Sequence, residues 1–178
     1  MALLQALAAT LLIASQAQAG DYGFKGISLG SHVSQVATNP KYDCKAVTTP
    51  TADRICGLKK DEVETMAGVP VASVFYFYDQ TALTGINIGL EEKHFQAVVA
   101  ALTGKYGAPA LAKAPIKNLK GEAFENLIYT WRAKGESIVA ERYSGRIDRS
   151  SVRIAEDAAA QRIRARREAA TREPGKDL

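Results

Sequence analysis

The chain has 178 residues, of which 47% are hydrophobic and 24% are charged, and its formal net charge at pH 7 is +4. Both fractions are ordinary for a globular protein, so they exclude the strongly biased compositions of other classes. The length allows one domain with enough apolar residues to form a core.

The N-terminus has the pattern of a secretory signal. Residues 2–14 form an apolar run, and Ala17-Gln18-Ala19 offers a small-x-small cleavage site before Gly20. We therefore predict a signal peptide over residues 1–19, although no Lys or Arg precedes the apolar run. The alternative is a buried or membrane-spanning helix, but the run is shorter than the ~20 residues that a span needs. We expect a periplasmic or secreted protein with no transmembrane segment after signal cleavage.

The two cysteines, Cys44 and Cys56, fit that location. An even pair in an exported protein predicts a disulfide bond. Two buried free thiols are the alternative. No neighbouring cluster of further ligands accompanies the pair, so we do not predict a zinc site there.

A ββα unit in the middle of the chain has the clearest pattern. Residues 73–79 and 83–90 predict two strands joined by a tight turn at residues 80–82, which favours an antiparallel hairpin. Residues 91–106 predict an amphipathic helix, because their large apolar residues recur at helical spacing.

Alternation along the first of these strands separates its aromatic residues. Val74, Tyr76 and Tyr78 share one face, and Phe75 and Phe77 take the other. In the second strand the face opposite the isoleucines carries Gly85, Asn87 and Gly89. Such small residues indicate either solvent or the close approach of another element.

The segments before the hairpin are less regular. Residues 22–29 have strand character, and Ser31 is a good N-cap for a short helix. Residues 42–48 and 53–58 predict two short strands tied by the cysteine pair. Residues 61–67 are ambiguous between a helical turn and irregular structure.

After the central helix, residues 108–121 predict a loop because of their two prolines. Residues 123–132, 137–143 and 146–154 then predict three strands separated by turns.

A helix followed by strands occurs twice, in residues 31–90 and 91–154, without residue-level similarity between the two blocks. This order predicts one α+β domain over residues 20–154, with two helices packed on one face of an antiparallel sheet.

The segment Gly26-Ile27-Ser28-Leu29-Gly30 precedes a short helix and then strands. In this feature and in the order of its elements, the chain resembles small bacterial envelope proteins with a BamE-like or beta-lactamase-inhibitor-protein-like fold. The resemblance implies an exported protein that binds other proteins. It assigns no functional residues.

The tail over residues 155–178 is rich in Ala, Arg and Glu and predicts a projecting or frayed helix. Four basic residues of this tail are candidate partner-binding residues: Arg162, Arg164, Arg166 and Arg167. An acidic protein surface or anionic headgroups would suit them, whereas export argues against nucleic acid. A solvated helix face is the alternative.

Four aromatic residues form a second candidate binding surface: Tyr76, Tyr78, Tyr129 and Trp131. Aromatic residues in strands are more often part of the core, which is the alternative here. If two of these rings are exposed together, a protein or glycan site becomes plausible.

Catalytic patterns are not recognisable. The histidines, His32 and His94, have no ligand at metal-binding spacing, and the acidic residues between 61 and 64 lack a calcium-loop pattern. The glycines are scattered and form no phosphate-binding loop. We expect no cofactor and no catalytic residue.

The leading hypothesis is therefore a non-catalytic periplasmic protein-binding module, either an inhibitor or an envelope-assembly accessory. A module that binds a small ligand or cell-wall glycan is the second hypothesis, and an enzyme is the third.

Overall fold

The structure is a computed structural model, and it describes residues 22–117 and 121–172. The predicted signal peptide lies outside the described residues. In the first half the elements are β1 (Gly23–Phe24), β2 (Ile27–Ser28), α1 (Ser34–Ala37), β3 (Tyr42–Thr49), β4 (Ala52–Leu58), β5 (Thr65–Met66), β6 (Val69–Pro70), β7 (Ser73–Asp79) and β8 (Ala82–Glu91). In the second half they are α2 (Phe95–Tyr106), β9 (Ala110–Lys117), β10 (Ala123–Ala133), β11 (Glu136–Glu141), β12 (Arg149–Glu156) and α3 (Asp157–Arg172).

An eight-stranded antiparallel sheet dominates the fold, in the order β3-β4-β7-β8-β12-β11-β10-β9. The fold is therefore α+β, as the sequence predicts. Two small hairpins, β1–β2 and β5–β6, lie outside this sheet.

The order of the strands shows two similar halves. A helix precedes the four strands β3, β4, β7 and β8, and another precedes β9 to β12. Within each half consecutive strands of the sheet are neighbours, and the halves meet where their last strands, β8 and β12, pair antiparallel. The two blocks predicted from the sequence are thus the two halves of one continuous sheet.

The core lies on one face of this sheet. One row of paired residues crosses seven strands: Cys44, Cys56, Tyr76, Ile86, Ile154, Ile138 and Trp131. Six of these seven are buried, and Cys44 is half-buried against the same cluster. Alternation therefore turns the next residue of each strand to the opposite face.

Both helices of the two halves contribute to this core. The stripe of α2 is buried through Phe95, Val98, Val99 and Leu102, whereas α1 contributes Val36. That both helices cover the same face of the sheet stays a prediction.

Three expectations for the region before and including the central helix need correction. Residues 22–29 form the β1–β2 hairpin rather than one strand, because Lys25 and Gly26 both adopt positive φ. Ser31 does not cap α1, which begins at Ser34 without a side-chain cap. The central helix begins at Phe95, and residues 92–94 form a 3-10 turn before it.

The expected loop over residues 108–121 is wrong over most of its length. Ala110–Lys117 is the strand β9, which pairs with β10 and ends the sheet. Pro115 is tolerated because an edge strand leaves the outward backbone groups of alternate residues unpaired.

The tail forms the 16-residue helix α3, but the helix does not simply project. Ala159 is buried, and Arg162 and Arg166 of α3 both approach the carboxylate of Asp79. In the part of the chain that the structure describes, no helix has the length and apolar character needed to cross a membrane.

Candidate binding surface: the open face of the sheet

We call the sheet face opposite the core the open face. By the strand register its residues include Ile55, Phe75, Phe77, Asn87, Val139 and Arg153. None of these six side chains is buried, and Phe75 is 41% exposed. Phe75 is thus exposed on a face that the core does not use, although α3 lies over part of that face.

Phe75 lies against a glycine on the neighbouring strand. A Cβ atom added to Gly57 would come within 3.1 Å of the Phe75 ring, so the ring rests over that glycine. Gly57 and Phe75 are direct partners across β4 and β7. Because Gly57 has no side chain, the Phe75 ring packs against its backbone on the open face and remains partly exposed to solvent.

At one end of the open face, α3 and the sheet enclose a groove of about 540 Å³, which we call the α3 groove. Its floor includes Phe77, Gly85 and Val139, and its wall on the helix side includes Ala160 and Ile163. The absence of a side chain at Gly85 keeps the floor low there, as the small residues of β8 indicated.

The charged side chains of the α3 groove are mostly positive. Arg132, Arg153 and Arg164 line it together with Asp157. Asp157 accepts two hydrogen bonds of 3.1 Å from Arg132, so that arginine is neutralised. No described acidic side chain forms an ion pair with Arg153 or Arg164, which leaves two cations facing the groove.

A few contacts hold α3 over the sheet. Ala159 is buried and Ile163 is half-buried near Thr51, in the turn between β3 and β4, and Thr84 of β8. A guanidinium nitrogen of Arg162 lies 3.4 Å from Asp79, and one of Arg166 lies 3.9 Å away. Since alanine buries little surface, these contacts give α3 a weak attachment.

The four tail arginines that the sequence suggests as partner-binding residues lie in different surroundings. Arg162 and Arg166 bind Asp79, and Arg164 faces the α3 groove. Arg167 lies within α3, but its side chain is outside the described part. The arginines therefore point to the sheet as well as to solvent.

The predicted aromatic surface does not form. Tyr76, Tyr78 and Trp131 are at most 3% exposed, and Tyr129 is half-buried beside the core. These rings belong to the core or lie beside it, which is the alternative interpretation of the sequence. The exposed aromatic residue is Phe75, one position away along the same strand, which the alternation pattern placed on the opposite face without indicating that this face is uncovered.

The predicted cysteine pair lies at disulfide distance. Cys44 and Cys56 are direct partners across β3 and β4, and their sulfur atoms are bonded. The bond ties the edge strand β3 to β4, where Cys56 pairs with Tyr76 of β7.

A polar cluster near this edge surrounds Glu64. Burial alone would raise the pKa of Glu64, but Lys41 and Lys25 outweigh it and lower that pKa below its ordinary range. The hydroxyl of Tyr42 interacts with both Glu64 and Tyr76. The Glu64 carboxylate therefore pairs with two lysines and also interacts with Tyr42, contacts that link it to other parts of the chain.

Tyr78 differs from its neighbours. Its hydroxyl is buried without a hydrogen-bond partner among the described residues, and burial raises the pKa of Tyr78 to about 12. The two histidines lie apart from the Glu64 cluster. His32 is exposed and shares a hydrogen bond with Ser34, and His94 ends the 3-10 turn. Within the described residues, no group of three potential metal ligands comes together.

Comparison with known proteins gives no family. No protein-family model and no curated protein matches the sequence. Among solved structures, a GTP-binding regulator from Thermotoga maritima is similar over 74% of this chain and 79% of that chain, at 12% identity and a TM-score of 0.35.

Proposed function

We propose that this protein is an exported, non-catalytic module that binds another protein through the open face of its sheet. The observation that carries the proposal is the exposed ring of Phe75, flanked by Ile55 and Phe77 on a face that the core does not use. Aromatic side chains dominate the energetics of protein interfaces, especially at their centre. An inhibitor and an envelope-assembly accessory would both use such a surface.

One edge of the sheet, the strand β9, is poorly suited to bind a partner strand. A partner strand could add to β9, but that strand carries Pro115 and two lysines, Lys113 and Lys117. Proline and lysine on an edge strand are features that prevent strand addition. Strand addition at β9 is therefore disfavoured, which is consistent with binding through the open face instead.

The disulfide and the predicted signal peptide agree with an exported protein. A small-ligand module is the second candidate, and the α3 groove is the observation that favours it. A glycan site built on Tyr76, Tyr78 and Trp131 has little support, because these rings are buried.

The experiment is affinity capture from native envelope extract with the mature protein and two variants, Phe75→Ser and Val63→Ser. Val63 is also exposed, at 67%, but lies outside the main sheet. The proposal expects a partner captured by the wild type and by Val63→Ser and lost by Phe75→Ser, with all three equally folded by circular dichroism. A partner retained by Phe75→Ser, or no specific partner at all, would contradict the proposal.

A further inference from the structure

The α3 groove has an apolar floor beside two arginines that form no ion pair with a described residue. Phe77 and Val139 offer apolar contacts on the sheet, and Ile163 offers one on the helix. Arg153 rises from the same sheet face and is exposed, and Arg164 is exposed on α3. Both guanidinium groups are without an ion-pair partner among the described residues.

The charge around the groove comes from several elements. Arg132 on β10 and Asp157 at the start of α3 cancel each other, and Arg162 on α3 is paired with Asp79 from β7. Arg153 on β12 and Arg164 on α3 therefore give the remaining charge of the groove. A guanidinium binds a carboxylate through two parallel hydrogen bonds, which makes acidic side chains its best protein partners.

The groove has room for a short segment of polypeptide. Its floor is the surface of β7, β8, β12 and β11, and α3 lies along one side. A volume of about 540 Å³ accommodates a few residues, whose side chains would contact both the floor and the helix.

From this arrangement we infer that the α3 groove binds an acidic, apolar segment of the partner protein, with carboxylates on Arg153 and Arg164 and apolar side chains on Phe77, Val139 and Ile163. The inference rests on the proposed function, since it assigns the chemistry of the partner segment next to the surface around Phe75. It also gives a role to the basic tail, which forms one wall of the site.

A labelled peptide tests the inference directly. The probe is a fluorescein-labelled peptide of sequence Glu-Val-Glu-Phe-Glu-Val, and its matched control has glutamine at each glutamate. Fluorescence anisotropy is expected to show binding of the acidic peptide that weakens as salt is added, because ionic strength screens exposed charges. Binding of the glutamine peptide is expected to be about tenfold weaker or absent.

Variants locate the site. Arg153→Gln and Arg164→Gln are each expected to weaken binding of the acidic peptide several-fold, and Arg146→Gln serves as the control because Arg146 pairs with Asp148 in a separate turn. Equal binding of both peptides, no binding of either, or equal loss with Arg146→Gln would overturn the inference.

The affinity capture described above separates this inference from the proposed function. If Phe75→Ser loses the partner while Arg153→Gln with Arg164→Gln retains it fully, the open face binds a partner and the assignment of the groove is wrong. If Phe75→Ser retains the partner, the proposed function fails, whatever the peptide shows.

Discussion

Arg162 and Asp79 connect the C-terminal helix to the first half of the sheet, with a guanidinium nitrogen 3.4 Å from a carboxylate oxygen. Arg166, one turn further along α3, approaches the other oxygen at 3.9 Å. Both arginine side chains are nearly half exposed, so each pair stabilises the helix only weakly. Asp79 therefore adds two weak ion pairs to the apolar contacts of Ala159 and Ile163 that hold α3 over the sheet.

Replacing this acid is expected to loosen α3. In Asp79→Asn both ion pairs are lost, and the backbone amides of α3 should exchange with solvent about two- to fivefold faster, because each exposed pair contributes about 0.2–1 kcal/mol. Hydrogen exchange measured by mass spectrometry checks this. Asp148→Asn is the matched control, since Asp148 pairs with Arg146 within a local turn. Unchanged exchange of α3 in Asp79→Asn would show that the apolar contacts alone hold the helix.

The disulfide is expected to stabilise the whole domain. Cys44 and Cys56 are separated by 12 residues along the chain, and closing a loop of this length restricts the unfolded state by about 3 kcal/mol. Urea unfolding of the wild type with and without reductant should show that loss, whereas the double variant Cys44→Ser with Cys56→Ser should not respond to reductant. A wild type that unfolds at the same urea concentration in both conditions would contradict this prediction.

Two neighbouring tyrosines are expected to respond oppositely to loss of the hydroxyl. The hydroxyl of Tyr78 has no partner in the described structure, so Tyr78→Phe should raise the free energy of unfolding by about 1 kcal/mol. Tyr76 interacts with Tyr42, so Tyr76→Phe should lower it by about the same amount. Both changes keep the ring and its packing. Urea unfolding of the two variants side by side provides the measurement, and equal shifts of the same sign would contradict the assignment.

Two glutamates are expected to make opposite contributions to the pH dependence of stability. Lys41 and Lys25 lower the pKa of Glu64 in the folded state, so its stabilising contribution is present at neutral pH and is lost as the pH falls through that lowered pKa. Glu64→Gln should therefore be less stable than the wild type at pH 7, and the difference should disappear in acid.

Burial instead raises the pKa of Glu156 in the folded state. Its ionisation opposes folding once the pH rises above its ordinary value, so Glu156→Gln should be more stable than the wild type at pH 7 and equal to it in acid. Unfolding free energies of both variants from about pH 2 to pH 7, a range that spans the ordinary carboxyl values of about 4, check the signs. A shared sign for the two variants at pH 7 would contradict the account.

The sequence predicts the strands best where alternation is strong. In β7 the alternation of Val74, Tyr76 and Tyr78 with Phe75 and Phe77 identifies the strand and its two faces. It also predicts the disulfide, because two cysteines in an exported chain leave one pairing. These features depend on local chemistry, which a sequence carries directly.

Other features depend on tertiary context. Pro109 and Pro115 indicate a loop unless the neighbouring strand β10 is known, and so β9 is missed. The exposure of Phe75 depends on which sheet face the core occupies, and strand order determines that. The return of α3 over the sheet depends on contacts with residues distant in the sequence, such as the pair between Arg162 and Asp79, which no local pattern indicates.

Photo-crosslinking from position 75 tests the central claim most directly. A photoreactive phenylalanine analogue replaces Phe75 in one protein and Val63 in another, and each is irradiated in intact cells that produce it. The account predicts a discrete adduct with a partner protein from position 75 and none from position 63. No adduct at position 75, or the same adducts from both positions, would contradict binding through the open face.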